Sequence, residues 1–195
     1  MPNTVGPADV LSFWFGDSGE PREEWFKKSD AFDAQVRARF GESLDAAARG
    51  DLDSWKTPPR GRLALVVLLD QLSRNAFRGT PRSFEQDERA LSLALEGIDA
   101  GEDRTLAPLE RSFLYMPLMH AENRRAQARS VALFEQLAQH APVQVAGYLT
   151  SAADFARKHR DIVERFGRFP HRNAILERTS TSEEHEFLQQ PGSSF

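Results

Sequence analysis

Leu63-Ala64-Leu65-Val66-Val67-Leu68-Leu69 is the stretch on which the fold class turns. Its valines favour β-structure, but no second run of this kind occurs elsewhere to pair with it. Read as a helix it is apolar on every side, as a helix at the centre of a core must be. It ends in Asp70-Gln71, two polar residues at the edge of the most apolar segment. Taken as helix, it leaves the chain all-α.

Apolar residues recur at helical spacing on both sides of this stretch. One stripe is Phe32, Val36, Phe40, Leu44 and Ala47; another is Phe84, Leu91, Ala94, Leu95 and Ile98. The longest runs Val145, Tyr148, Leu149, Ala152, Phe155, Ala156, Ile162, Val163, Phe166. Ser83 with Gln86, and Thr181 with Glu184, have the spacing of capping boxes. Pro108 and Pro142 suit first helical turns, and Gly50, Gly101 and Gly167 stand where helices stop. The predicted helices are 8–15, 30–48, 60–74, 83–99, 108–121, 124–140, 142–166 and 181–189, with a short turn near 22–27. Pro117 should kink the fifth. Short connections favour antiparallel neighbours, so the expectation is about eight helices in stacked antiparallel pairs, a TPR-like helical array. The TPR consensus itself is absent at a period of ~34 residues. One domain over 1–188 and a flexible tail over 189–195 complete the expected organisation.

The 195 residues carry 25 Lys+Arg against 29 Asp+Glu, for a net charge of −4, and no cysteine. Disulfides, thiolate metal sites and cysteine nucleophiles are excluded. An acidic balance argues against a nucleic-acid partner; Arg124, Arg125 and Arg129 read as a solvated basic face. The apolar run is far short of the ~20 residues that span a membrane. The start, Met1-Pro2-Asn3-Thr4-Val5, has neither a cationic nor an apolar targeting region. A cytoplasmic chain with no membrane partner is expected. No Gly-x-Ser-x-Gly elbow and no Gly-x-Gly-x-x-Gly or Walker loop occurs, and no cofactor is expected. Glu110, His120, Glu122 and His159 are metal-ligand types, but no His-Glu-x-x-His pattern joins them, and no metal is expected. Phe13-Trp14-Phe15, Trp25-Phe26 and Trp55 read as a packing seam.

Polar residues interrupt the apolar stripes. Asp70 and Gln71 end one helix, Asp87 falls on the Phe84–Ile98 stripe, and His120 follows Leu109, Phe113 and Met116. Gln127 and Ser130 precede Phe134 and Leu137, and His159 lies between Phe155 and Ile162. A buried polar group must be paired or solvated. Either these residues share one polar pocket between helices, or they form separate buried networks that fix helix packing.

Two arginine-asparagine segments stand out: Asp70-Gln71-Leu72-Ser73-Arg74-Asn75-Ala76-Phe77-Arg78-Gly79 and Arg165-Phe166-Gly167-Arg168-Phe169-Pro170-His171-Arg172-Asn173. Asp70 and Arg74 are spaced for an intrahelical pair. Arg78, Arg168 and Arg172 have no such local partner, and a guanidinium fork suits carboxylate or phosphate. Arg74, Arg78, Arg168, His171 and Arg172 are therefore candidates for an anion pocket. The alternative is that they pair with Asp70, Asp87 and Glu110 and clamp the fold.

Together with Phe13-Trp14-Phe15 and the Tyr115-Met116-Pro117-Leu118-Met119-His120 segment between Glu110 and Glu122, these motifs resemble a bacterial family known as domain of unknown function 924. The resemblance runs from about Val10 to Leu188 and falls on Asp70, Arg74, Asn75, Arg78, His120, His171, Arg172 and Asn173. It implies an all-α, TPR-like fold and no established reaction, so no catalytic role is carried over. The expected function is binding of a small anionic ligand between helices by Asp70, Arg74, Asn75, Arg78, Asp87, His120, Gln127, His159, Arg168, His171, Arg172 and Asn173. If the pocket is catalytic, His120 or His171 is the expected general acid or base of an ester hydrolase. The competing expectation is a helical interaction module with a protein partner. An enclosed pocket favours the ligand; a fully paired network without a cavity leaves these residues as structure.

Overall fold

In a computed structural model of the chain, residues 5–25 and 27–194 are described; 1–4, 26 and 195, which include the N-terminal reading and Phe26 of the aromatic seam, lie outside them. The decisive apolar run is helical. Helix α3 (Pro59–Val66) passes without a break into a π-helical segment (Val67–Leu72) and then α4 (Ser73–Ala76). Residues Leu63 to Leu69 are at most 1% exposed, so this stretch of the rod is buried on every face. The π widening is seen in the Ser73 N–H, which bonds back to the Leu68 carbonyl, five residues earlier.

The other elements are arranged around this rod. They are α1 (Pro7–Phe15), α2 (Asp30–Arg49), α5 (Asp87–Asp99), α6 (Pro108–His120), α7 (Arg124–Gln139), α8 (Val143–Phe166) and α9 (Ser182–Leu188). Short 3-10 turns at Glu23–Trp25, Asp53–Lys56, Pro81–Ser83, Glu102–Thr105 and Pro170–Arg172 lie between them. No strand occurs among the described residues, and the fold is all-α. Helices α1 and α5 pack on α3, α2 packs on the π segment and α4, and α6, α7 and α8 pack on one another. The brief links 121–123 and 140–142 make α6, α7 and α8 successive hairpins. The aromatic start does form a seam: Trp14, Phe15 and Trp25 surround Phe113, with ring centroids 5.5, 5.3 and 4.7 Å from it.

Most boundary signals act as expected. The Thr181–Glu184 box closes at both ends, and Gly50 and Gly167 end α2 and α8 in the left-handed region, where a side chain is strained. Two readings change. Helix α5 begins at Asp87, not at 83, because Ser83 ends a 3-10 turn and its hydroxyl donates to the Thr80 carbonyl. Phe155 is 47% exposed, so the α8 stripe is interrupted there. Pro117 lies inside α6. A second, small apolar cluster of Ile162, Val163 and Phe169, joined by Phe166 and Phe187, docks the C-terminal segment onto α8.

Candidate functional site

The π segment turns Asp70 away from solvent toward the last residue of α6. Its carboxylate is completely buried. One oxygen accepts from His120 Nδ1 at 2.7 Å and Arg74 Nη1 at 3.1 Å, the other from Gln71 Nε2 at 2.5 Å. Burial opposes the charge on Asp70, but Arg74, His120 and Gln71 outweigh it and hold the acid well below the usual carboxylate range. An ionised carboxylate accepts only, so His120 Nδ1 is the donor.

Arg74 carries the network onward, donating through Nη2 to both oxygens of Asp87 at 3.0 Å. Arg172 reaches the same acid at 3.0 Å and the His120 carbonyl at 3.0 Å. Its guanidinium lies 4.7 Å from the Phe84 ring centroid and 4.5 Å from that of Phe169. Burial, then the charge of Arg74, lowers its pKa to about 10. Its Nε is buried with no acceptor among the described residues. His159 approaches His120 (6.2 Å between rings) and Phe169 (5.5 Å). Burial, then His120, pulls its pKa down to about 3, so it is neutral.

The expected site residues therefore divide. Asp70, Arg74, Asp87, His120 and Arg172 are one network, with His159 beside it. Asn75 and Arg78 join a different acid, Asp33 on α2: Asn75 donates at 2.8 Å and Arg78 at 2.6 and 3.0 Å. Arg168 and Asn173 belong to a third group, where Arg168 grips Glu184 at 2.7 Å through two nitrogens and Asn173 donates to Glu184 and Ser180. Gln127 donates to the Met119 and Ala121 carbonyls and ties α7 to the end of α6. The arginines without local partners are all paired, with acids distant in sequence. Glu110 pairs with Arg60, and among the described residues no three His, Asp or Glu gather as a metal site.

His171 points elsewhere. It lines a cleft of about 550 Å³ between the Pro170–Arg172 turn and α9, with Arg178, Thr179, Ser180, His185 and Ser193. None of the described residues lining the cleft is Asp or Glu. Burial, then Arg172, lowers His171 to about 4. Arg178 is fixed by two bonds to Glu122, at 2.6 and 2.9 Å, and one to Asn173 at 3.0 Å. Sequence reasoning misses Arg178, His185, Glu184 and Asp33 as site residues, and marks Glu122 only as a metal-ligand type. The hydroxyl run Thr179-Ser180-Thr181 directly after Arg178 is the one local signal for this wall.

The family described as "Bacterial protein of unknown function (DUF924)" matches residues 10–192. The chain belongs to that family. Among solved structures, the DUF924 chain is similar to a protein of unknown function, ATU0120, from Agrobacterium tumefaciens. The two share 40% identity, with a TM-score of 0.82, over 94% of this chain and 96% of that one. No curated protein matches it. No helix among the described residues is long and apolar enough to cross a membrane.

Proposed function

We propose that the chain binds a small ligand bearing phosphate or carboxylate oxygens in the cleft between the Pro170–Arg172 turn and α9. The observation that carries this reading is the wall: imidazoles, a guanidinium and hydroxyls, with no Asp or Glu among the described lining residues to repel an anion. The volume falls within the range of roughly 300–1,000 Å³ usual for small-ligand sites. Arg178 is held in place by Glu122 and Asn173, so little ordering remains to oppose binding. Arg74, Arg78 and Arg172 act in this reading as clamps of the fold, each paired with an acid.

The test is a titration with inorganic phosphate and with small carboxylates, followed by amide chemical shifts. Shifts concentrated at His171, Thr179, Ser180 and His185 are expected, weakened about tenfold by His185→Ala, an exposed change on α9 that spares the fold. A ligand at 100-fold its dissociation constant also stabilises by about 2.7 kcal/mol. Flat titrations with both classes of anion refute the reading.

A further inference from the structure

We infer that Asp70 and His120 form a proton-transfer dyad that hydrolyses an uncharged ester at the partly exposed face of the His120 ring. His120 is the group that meets the substrate, and Asp70 is a positioning residue. The inference is independent of the cleft.

Three observations converge. First, a completely buried charged acid is tolerated only when donors compensate it, and one of the donors chosen here is an imidazole. The bond places a proton on Nδ1, and the neutral form of the ring then offers Nε2 as the base. Among the described residues nothing hydrogen-bonds to Nε2, and the side chain is 16% exposed, so water reaches the ring. Second, Asp70 lies in a π-helical segment, a rare geometry that re-aims side chains and concentrates at functional sites. Third, the charges around the ring cancel: Arg74 and Arg172 stand against Asp70 and Asp87. A rim without net charge selects an uncharged acyl compound over a phosphate. Gln71 uses one amide N–H on Asp70; its second is a donor for the acyl oxygen.

In the reaction, Nε2 takes a proton from water as the water oxygen bonds to the acyl carbon. The bond from that carbon to the alkoxy oxygen then breaks. The proton on Nε2 passes to the departing alcohol, leaving a carboxylic acid and the original base.

The probe is 4-nitrophenyl acetate, with the full chain. The expected result is hydrolysis of the probe, with a loss of roughly a hundredfold in His120→Gln. His140→Gln, an exposed histidine at the end of α7, leaves the rate unchanged. A folded His120→Gln protein that hydrolyses the probe as fast as the parent overturns the inference. Nitrogen-15 shifts of the parent protein decide independently of any variant's folding. They should report His120 protonated on Nδ1, and moved toward the Nε2 tautomer in Asp70→Asn; a parent protonated on Nε2 overturns it.

Discussion

Replacing Glu184 by glutamine should detach α9 from the rest of the chain. The Glu184 side chain is 3% exposed. It accepts from Arg168 Nε and Nη2 at 2.7 Å each, from the Thr181 amide at 2.8 Å and from Asn173 at 3.3 Å. The substituted amide would keep the shape but lose the charge, and turn an NH₂ toward donors. Breaking one side of a buried, hydrogen-bonded pair costs about 3–5 kcal/mol. The α9 helix rests on a small apolar cluster of its own, so the loss should appear as local opening rather than global unfolding. An effect of about 3 kcal/mol raises the open population on the order of a hundredfold. Hydrogen exchange at the amides of α9 reads this directly. The pH dependence adds a second constraint. Arg168, then the Thr181 amide and Asn173, against some burial, lower Glu184 to about 2. The unfolded value is about 4.3, so the stabilisation is whole above that pH and fades as pH falls toward 2. Parent and Glu184→Gln proteins should differ most at neutral pH and converge in acid. Exchange in α9 that is unchanged at pH 7, or a gap that persists unaltered to pH 2, refutes the reasoning.

Three further outcomes follow from the same geometry. Arg78→Ala strips two charged hydrogen bonds from buried Asp33 and should cost about 2–3 kcal/mol, lowering the melting midpoint by roughly 5–10 °C; an unchanged midpoint would mean that Asp33 is rehydrated instead. His159 and His171 are held neutral, at about 3 and about 4, against about 6.5 in the unfolded chain. The unfolded state therefore binds more protons below pH 6.5, and stability should fall on acidification from pH 6.5 to 4.5 by up to about 1.4 kcal/mol per pH unit for each; urea midpoints should show that slope, and His159→Leu should flatten it. A Cβ at Gly61 would stand 2.2 Å from the Trp55 carbonyl oxygen, so Gly61→Ala should lower stability by about 1–3 kcal/mol or more, measurable by calorimetry.

Periodicity was enough for the helices because each has a buried stripe of its own. Val36, Phe40 and Leu44 announce α2 without reference to anything else in the chain. Ser83 misled because it closes a 3-10 turn and its hydroxyl donates back to the Thr80 carbonyl, where a capping serine would accept from an amide three residues on. The polar residues were legible as residues and not as partners. Asp70 and Arg74 meet within one helix and could be read. Arg78 meets Asp33 across 45 positions, Arg178 meets Glu122 across 56 and Arg168 meets Glu184 across 16. Nothing local marks those acids, since each pairing is set by which helices pack together. Glu184 was visible as a capping residue, but the same carboxylate also binds Arg168, and one sequence signal concealed the other.

The π segment has a consequence for how the central rod is phased. An α-helix turns about 100° per residue, and a π turn holds one residue more than the α turn it replaces. Everything after Leu72 is thus rotated relative to an uninterrupted continuation of α3. That rotation lets one rod serve two partners: its first half faces α1 and α5, and its second half faces α2, bringing Asn75 and then Arg78 to Asp33. Deleting a single residue between Val67 and Leu72 would restore regular helical bonding and swing those side chains away from their acid. In this stretch, length is as much a coded property as residue identity.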